Sequence, residues 1–315
     1  MVKIAIVTGA SRGLGRGIAL TLAKEAGYTV YATARNQEPL EKLSKEAKDN
    51  PLNGVVHPFV LDQEDDAAVK KFVEFVISKH KKISLLVNSS YGGLVAIAPH
   101  FGKPFWKRPI SVFDKAMDIG VRSAYVMSKY VAGIMTEQKH GLIIQTSSTG
   151  AFHYAFDVAY GVAHAGIDRL TADMALELKD YKVRSITLHP VGGCETETVS
   201  FPGGESTVFV GRAVVALAEK ASEADLTSFN GKVVITAELS EKYGFEHDGD
   251  LDGSKKRTKI DEAKTQRKFM DRTQFHNQLS NTLKDYDTDH HLPFKLSDLN
   301  SEAFGAMFEK AKKYE

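Results

Sequence analysis

Short and almost continuously apolar runs alternate with longer segments of helical periodicity through residues 1–240. The runs show little alternation of apolar and polar positions, which is typical of strands covered by helices on both faces of a sheet. Between them, segments such as Gly17–Ala26 and Ser123–Met135 repeat apolar residues at helical spacing. The predicted strands are Ile4–Val7, Thr29–Thr33, Val55–Leu61, Ser84–Val87, Leu142–Gln145, Val183–Leu188 and Lys232–Thr236. This alternation predicts an α/β, doubly wound fold in which helices flank a seven-stranded, mostly parallel sheet.

The chain becomes much more polar after residue 249. Between Lys255 and Arg272, eight basic residues stand against three acidic ones. Two weak apolar stripes at helical spacing follow, around residues 275–283 and 304–311. We therefore divide the chain into a main domain, residues 1–249, and a polar helical C-terminal extension, residues 250–315. The extension either packs on the main domain or on a partner chain, or it is a solvated tail.

Composition and charge exclude several classes of protein. Hydrophobic residues make up 43% of the 315 residues, which is enough for a full-sized core. The 41 Lys and Arg residues against 40 Asp and Glu leave a net charge of +1, so no overall field attracts the chain to nucleic acid or to an anionic membrane. The single cysteine, Cys194, allows neither an intrachain disulfide nor a Cys-rich zinc site, and we expect no bound metal. The first apolar run, Ile4–Val7, is too short for a signal-peptide core or a membrane span, so we expect a cytoplasmic protein without an integral membrane segment.

A glycine-rich turn, Thr8–Gly15, lies between the first predicted strand and a helix predicted over Arg16–Ala26. In such a turn Gly9 permits the tight bend, Gly13 lets the backbone approach a pyrophosphate, and Gly15 allows close packing of helix and strand. The unpaired N–H groups at the start of the helix then favour the binding of phosphate groups. Strand, turn and helix in this order predict the dinucleotide site of a Rossmann fold.

Two arginines favour NADP over NAD as this dinucleotide. An NAD site usually carries an acidic residue at the end of the second strand, where it binds the ribose 2′-hydroxyl. Here that strand ends in Thr33-Ala34-Arg35, and Arg12 lies in the glycine-rich turn. Guanidinium groups in both places suit the additional 2′-phosphate of NADP.

These motifs, with others further along the chain, resemble the short-chain dehydrogenase/reductase family over residues 3–245. Asp62 follows the third predicted strand, where the family contacts adenine, and Asn88–Gly93 is a loosened form of the family element that ends the fourth strand. Gly141–Ser148 resembles the strand that ends in the family's catalytic serine, and Tyr160 stands at the place of the catalytic tyrosine.

The resemblance implies an NADP(H)-dependent oxidoreductase that reduces a carbonyl compound or oxidises the corresponding small-molecule alcohol. The implied catalytic residues are Ser148, which holds the substrate oxygen, Tyr160, which donates the proton, and His164, which binds the nicotinamide ribose. The implied cofactor-binding residues are Gly9, Ser11, Arg12, Gly13, Leu14, Gly15, Arg35, Asp62 and Asn88. Details at residues 105–109, 160–173 and 243–249 point to one subgroup of the family. Family members commonly form homodimers or homotetramers.

The chain departs from the family pattern one helical turn after the tyrosine. The family places a lysine there, and its ammonium group lowers the pKa of the tyrosine. Here the residue is His164, whose unperturbed pKa of about 6.5 leaves most of its charge absent at pH 7. The alternative interpretation is therefore a catalytically impaired or dead pseudoenzyme that still binds NADP(H).

Three smaller departures concern residues near the implied site. Gly120 replaces an asparagine that many family members carry, and Val191 follows Pro190 in place of the family's glycine. Ser147 is an alternative to Ser148, because it lies 13 rather than 12 residues before Tyr160. We choose Ser148 from its position after the predicted strand.

Aromatic residues cluster in two segments that we expect to wall the substrate pocket. Such walls favour a bulky, hydrophobic substrate. The expected wall residues are Phe101, Phe105, Trp106 and Phe113 in one segment, and Phe152, Tyr154 and Phe156 in the other.

Overall fold

A computed structural model describes residues 2–267 of the chain except 49, 192, 200, 202, 248–258 and 265. Within these residues, seven strands form a parallel sheet and two short strands form a separate pair. The sheet strands are β1 (Ile4–Thr8), β2 (Thr29–Ala34), β3 (Val55–Val60), β4 (Leu85–Asn88), β5 (Gly141–Thr146), β6 (Val183–His189) and β9 (Val233–Ile235), and the pair consists of β7 (Cys194–Glu195) and β8 (Glu205–Ser206).

The sheet has the strand order β3-β2-β1-β4-β5-β6-β9 and every pairing in it is parallel. The predicted doubly wound fold with a seven-stranded sheet is thus confirmed. The expectation of strands covered on both faces is wrong for β3, where most side chains are exposed. This strand lies at the edge of the sheet and contains Pro58, which lacks the N–H group that an inner strand would need.

Helices cover both faces of the sheet because alternate strand residues point to opposite sides. Ala5 and Val7 of β1 pack in one apolar cluster with α1, α2 and α8, whereas Ile4 and Ile6 pack in another with α3 and α6. The α-helices in the described residues are α1 (Gly13–Ala26), α2 (Gln37–Glu46), α3 (Asp66–His80), α4 (Gly93–Ile97), α5 (Ile110–Ala116), α6 (Ser123–Gln138), α7 (Val158–Leu178), α8 (Thr207–Val215), α9 (Glu223–Phe229) and α10 (Thr236–Tyr243). None of the helices in the described part of the chain is both long enough and apolar enough to span a membrane.

Parallel pairing brings the carboxyl ends of β1, β4, β5 and β6 to one edge of the sheet. The segments that follow these strands carry the glycine-rich turn, Asn88, Ser148 and the Pro190-Val191 turn. In an open α/β sheet, ligands bind at this edge. Helix α1 begins at Gly13, three residues earlier than predicted, so its first turn contains both Gly13 and Gly15.

Part of the C-terminal extension is described, and it packs on the main domain. Residues 259–264 and 266–267 are helical. Ile260 and Ala263 contact a small apolar cluster formed by Val191, Ile235 and Ala237. The stripes predicted around 275–283 and 304–311 lie outside the described residues.

Candidate active site

A cavity of about 1550 Å³ opens at the carboxyl edge of the sheet. Its lining includes every residue that the sequence implicated in catalysis or cofactor binding. These residues are Gly9, Ser11, Arg12, Gly13, Leu14, Gly15, Arg35, Asp62, Asn88, Ser148, Tyr160 and His164. Residues separated by up to 155 positions in the chain thus share one cavity.

At one end of the cavity, the glycine-rich turn leads from β1 into the first turn of α1. Gly9 has a φ of +65°, and a Cβ atom there would lie 2.6 Å from the carbonyl oxygen of Ser89. The Gly13 N–H donates a hydrogen bond to Oε2 of Glu197 at 2.7 Å. A carboxylate of the chain itself therefore binds the start of α1, where unpaired N–H groups attract anions. Both the glycine spacing and this anion contact fit the diphosphate of a dinucleotide.

Arg12, Arg35 and Asp62 lie where the sequence expected the adenosine end of the dinucleotide. Arg35 directly follows β2 and is exposed. Asp62 accepts a hydrogen bond from the N–H of Glu64 at 3.0 Å. Both arginines line the cavity. Residues 35–37, which follow β2, include no carboxylate, so this described segment has no acidic residue at the position expected to bind the ribose.

Asn88, at the end of β4, connects the sheet to α6. Its side-chain amide donates to the hydroxyl of Ser128 at 3.0 Å and to the carbonyl oxygen of Ala124 at 3.5 Å. The backbone N–H groups of Ser89 and Ser90 donate to the hydroxyl of Thr8 in β1. These bonds fix the loop after β4 against the glycine-rich turn.

At the other end of the cavity, the side chain of Ser148 lies beside that of Tyr160. Strand β5 ends at Thr146, and the Ser148 hydroxyl, two residues later, accepts a hydrogen bond from the Gly150 N–H at 3.1 Å. A Cβ atom at Gly150 would lie 3.1 Å from this hydroxyl and 2.4 Å from the Tyr160 ring, so the two side chains are neighbours, and Ser148 lowers the pKa of the phenol. The Ser147 hydroxyl is buried and instead donates to the carbonyl oxygen of His164 at 3.4 Å. Of the two candidate serines, Ser148 is the one that the fold brings to the tyrosine.

A buried ion pair positions Tyr160 at the start of α7. The N-cap residue Asp157 accepts a hydrogen bond from the Tyr160 N–H at 2.7 Å. Its other carboxylate oxygen lies 2.7 Å from the Arg108 guanidinium, and both of these side chains are buried. Such a cap stabilises the first turn of the helix and thereby fixes the direction of the tyrosine ring.

The Tyr160 hydroxyl is protonated at neutral pH. Burial raises the pKa of Tyr160 to about 12, although the hydrogen bond from Ser148 acts in the opposite direction. The phenol is thus protonated before reaction, and its phenolate form is populated only at high pH.

His164 is uncharged, and it lies directly against the tyrosine. Its Nδ1 atom donates a hydrogen bond to the Tyr160 carbonyl oxygen at 2.8 Å, and its ring stacks on the Tyr160 ring with centroids 3.9 Å apart. Burial lowers the pKa of His164 to about 4. The hydrogen bond to the Tyr160 backbone raises this pKa, but its effect is smaller than that of burial. The sequence predicted that most of the charge of this residue is absent at pH 7, and the burial of the ring removes the remainder.

Tyr91 is a cavity residue that the sequence did not indicate. Its ring contacts those of Tyr160 and His164 edge-on, at centroid distances of 5.7 and 4.8 Å. A Cβ atom at Gly120 would lie 3.0 Å from this ring, so the glycine leaves the space that Tyr91 fills. The available signal was a bulky aromatic residue within the glycine-rich element Asn88–Gly93.

The aromatic walls were predicted only in part. Phe105 and Trp106 are 62% and 71% exposed, and Phe113 is also exposed, so their assignment to the pocket is wrong. Phe105 and Trp106 lie in a short 3₁₀ turn at the surface, where their rings contact each other edge-on. Phe201 lines the cavity instead and contacts Phe156. The expected residues that do line the cavity are Phe101, Phe152, Tyr154 and Phe156.

The fold and the site define a class of protein that sequence comparison identifies. The family model described as short chain dehydrogenase matches residues 3–201. The chain therefore belongs to the short-chain dehydrogenase/reductase family of oxidoreductases.

Individual relatives agree with this assignment. The chain is 37% identical over 272 residues to dehydrogenase/reductase SDR family member 1 of Mus musculus, with 80% of this chain and 84% of the relative covered. This is the subgroup that the sequence details indicated.

Solved structures share the fold. A metagenomic short-chain oxidoreductase in complex with NADP is 26% identical, with a TM-score of 0.62 over 74% of this chain and 95% of the other. A 7 alpha-hydroxysteroid dehydrogenase complexed with NADH and 7-oxo glycochenodeoxycholic acid is 24% identical, with a TM-score of 0.64 over 74% of this chain and 92% of the other.

Proposed function

We propose that this protein is an NADP(H)-dependent oxidoreductase that reduces a carbonyl group on a hydrophobic small molecule. The observation that carries the proposal is the contact of Ser148 with Tyr160 in the same cavity as the anion-binding start of α1. NADPH, when bound, supplies the hydride. The chain supplies the proton and the hydrogen bonds that orient the carbonyl oxygen.

Each catalytic role follows from the chemistry of its side chain. Ser148 donates a hydrogen bond to the carbonyl oxygen and stabilises the negative charge that develops there. Tyr160 donates its phenolic proton to the same oxygen. The pKa of about 12 for Tyr160 supports reduction over oxidation, because oxidation of an alcohol requires the phenolate. His164, uncharged, is a hydrogen-bond partner for the nicotinamide ribose.

NADP is the proposed cofactor because of the charges at the adenosine end. Arg12 and Arg35 both line the cavity, and the segment after β2 offers no carboxylate to a ribose 2′-hydroxyl. The turn from Gly9 to Gly15 would also hold the dinucleotide. Asp62 would contact its adenine, and Asn88 would lie between its adenosine and nicotinamide halves. The metagenomic relative was solved with NADP, which agrees with this preference.

The substrate class follows from the cavity walls near Tyr160. Phe101, Phe152, Phe156 and Phe201 line this region. Aromatic walls of this kind suit a bulky ketone better than a small polar aldehyde. Exposed apolar residues on α6 and α7, among them Tyr125 and Leu176, support assembly into a homodimer or homotetramer.

The test is NADPH oxidation with a panel of hydrophobic ketones, compared between the native protein and Tyr160→Phe. We expect the variant to lose roughly 100-fold or more in kcat because the proton donor is removed, while its Kd for NADPH changes little. Tyr181→Phe is the matched control, since this tyrosine is exposed and lies outside the cavity lining. Full activity in Tyr160→Phe, or much faster turnover of small polar aldehydes than of hydrophobic ketones, would contradict the proposal.

One observation favours a second candidate, a pseudoenzyme that binds NADP(H) without turnover. The uncharged His164 provides no cation to lower the pKa of Tyr160. The same experiment separates the two functions, because the pseudoenzyme binds NADPH but oxidises it with none of the ketones.

A further inference from the structure

Two charged side chains that lie beyond the segment matched by the family model hold the backbone of Val191. Val191 belongs to the turn after β6. Its N–H donates a hydrogen bond to Oε1 of Glu205 at 3.2 Å, and its carbonyl oxygen accepts one from the Lys259 Nζ atom, also at 3.2 Å. Glu205 comes from β8, whereas Lys259 comes from the C-terminal extension.

Both charged groups are buried. Glu205 is 0% exposed and Lys259 is 6% exposed. Burial of a carboxylate or an ammonium group is unfavourable unless polar partners replace water. The Thr236 hydroxyl lies within 2.8 Å of both carboxylate oxygens of Glu205, and Lys259 also contacts Glu262 at 3.4 Å. The chain therefore builds a polar network around one backbone position.

This position is a wall of the candidate active site. Val191 and Lys259 both line the cavity that contains Tyr160. Strand β6 pairs with β5, and the N–H of Ser147 donates to the carbonyl oxygen of Leu188 at 3.0 Å. The turn after β6 is thus adjacent to the segment that carries Ser148.

Further contacts tie the same C-terminal segment to this wall. Ile260 and Ala263 pack against Val191. The side-chain amide of Gln266 lies 3.2 Å from Nδ1 of the buried His189, whose Nε2 atom contacts Asp168 at 3.1 Å. This C-terminal segment therefore contacts both His189, the last residue of β6, and Val191 in the turn that follows.

We propose that Lys259 and Glu205 are positioning residues, which fix the Val191 backbone at the wall of the active-site cavity and make residues 259–264 and 266 part of the active site. The inference rests on the proposed function for the identity of the bound ligand. The Lys259 ammonium group favours ionisation of Glu205, but burial of the carboxyl group outweighs this effect. Burial thus raises the pKa of Glu205 to about 8.

The experiment compares the native full-length protein with Lys259→Met, Lys259→Arg and Lys264→Met. Lys264 is the matched control, because it lies on the same segment with a largely exposed side chain. The first readout is hydrogen exchange of the backbone amides in residues 189–195, which needs no cofactor. We expect exchange at least about tenfold faster in Lys259→Met, because the turn loses one of its two anchors.

The second readout is the Kd for NADPH together with kcat and KM for a hydrophobic ketone. We expect Lys259→Met to raise the Kd by roughly tenfold, Lys259→Arg to restore most of the affinity, and Lys264→Met to match the native protein. Native-like exchange in Lys259→Met overturns the proposal. Faster exchange with an unchanged Kd and KM also overturns it, because the anchor is then only structural. If the native protein binds no NADPH, the proposed function fails, whereas the exchange result still decides whether Lys259 holds the turn.

Should Lys259→Met fail to fold, Glu205→Gln tests the other anchor with the same readouts. The amide keeps the shape of the side chain and an acceptor for the Val191 N–H but cannot ionise. We expect a smaller increase in Kd, of about threefold. An unchanged Kd with unchanged exchange in this variant counts against the proposal in the same way.

Discussion

At the scale of single residues, the histidine at position 164 determines how the site can work. The spacing from Tyr160 puts the two side chains on one helix face, and the structure stacks their rings. Burial keeps the imidazole neutral, so it packs against the phenol without lowering the pKa of that group. Tyr91, which fills the space beside Gly120, adds a third ring to this group. Hydrogen bonding and packing thus hold this group of rings together without the charge that a lysine would provide.

The variant His164→Lys restores that charge and tests whether the neutral imidazole limits the reaction. An ammonium group near the phenol should lower the pKa of Tyr160 and raise the rate of carbonyl reduction at pH 7 by roughly tenfold. The gain should be larger for alcohol oxidation, which uses the phenolate. Steady-state kinetics in both directions between pH 6 and 9 provide the measurement, and His164→Gln is the uncharged control. A reduction rate at or below that of the native protein would remove this explanation.

At the scale of elements, the loop between β6 and α8 connects the two ends of the cavity. It presents Glu197 to the Gly13 N–H at one end and Val191 to the catalytic region at the other. Under the proposed function, a diphosphate at the start of α1 displaces the Glu197 carboxylate. We therefore expect the binding of NADP(H) to affect this loop.

Glu197→Gln should tighten the binding of NADPH. The neutral amide is a weaker competitor for the helix start than a carboxylate, and it does not repel the diphosphate. We expect the Kd for NADPH to fall about threefold to tenfold, measured by the fluorescence of the bound nucleotide. Glu195→Gln, two residues away and exposed, should leave the Kd unchanged. Weaker binding in Glu197→Gln would show that the carboxylate assists the cofactor rather than competing with it.

At the scale of the whole molecule, the apolar pattern was enough to predict the sheet. Buried parallel strands leave continuous apolar runs, and a strand–turn–helix with glycines at fixed places leaves a local motif. The apolar runs and the glycine motif are both local patterns, which can be recognised in a single sequence. The fold and the cavity lining around Gly13 and Tyr160 could therefore be predicted. Strand β3 itself was predicted, but its exposure was not, because Val55 and Val60 lie at the surface although they are apolar.

The contacts that the sequence did not indicate join segments far apart in the chain. Lys259 and Val191 are separated by 68 positions, and Glu197 and Gly13 by 184. No local spacing records such pairs, because the sheet topology brings them together only after folding. The exposure of Phe105 and Trp106 is likewise decided by the packing of a surface turn. Their residue types show that they are apolar but do not indicate whether they face the cavity or the solvent.

A crystal structure of the protein with NADPH tests the proposed cofactor site most directly. We expect the diphosphate to accept hydrogen bonds from the start of α1, with the Glu197 carboxylate displaced. We also expect the 2′-phosphate beside Arg12 and Arg35, and the nicotinamide next to the Tyr160 hydroxyl. A nucleotide bound outside this cavity, or crystals that take up none at saturating concentration, would contradict the proposed site.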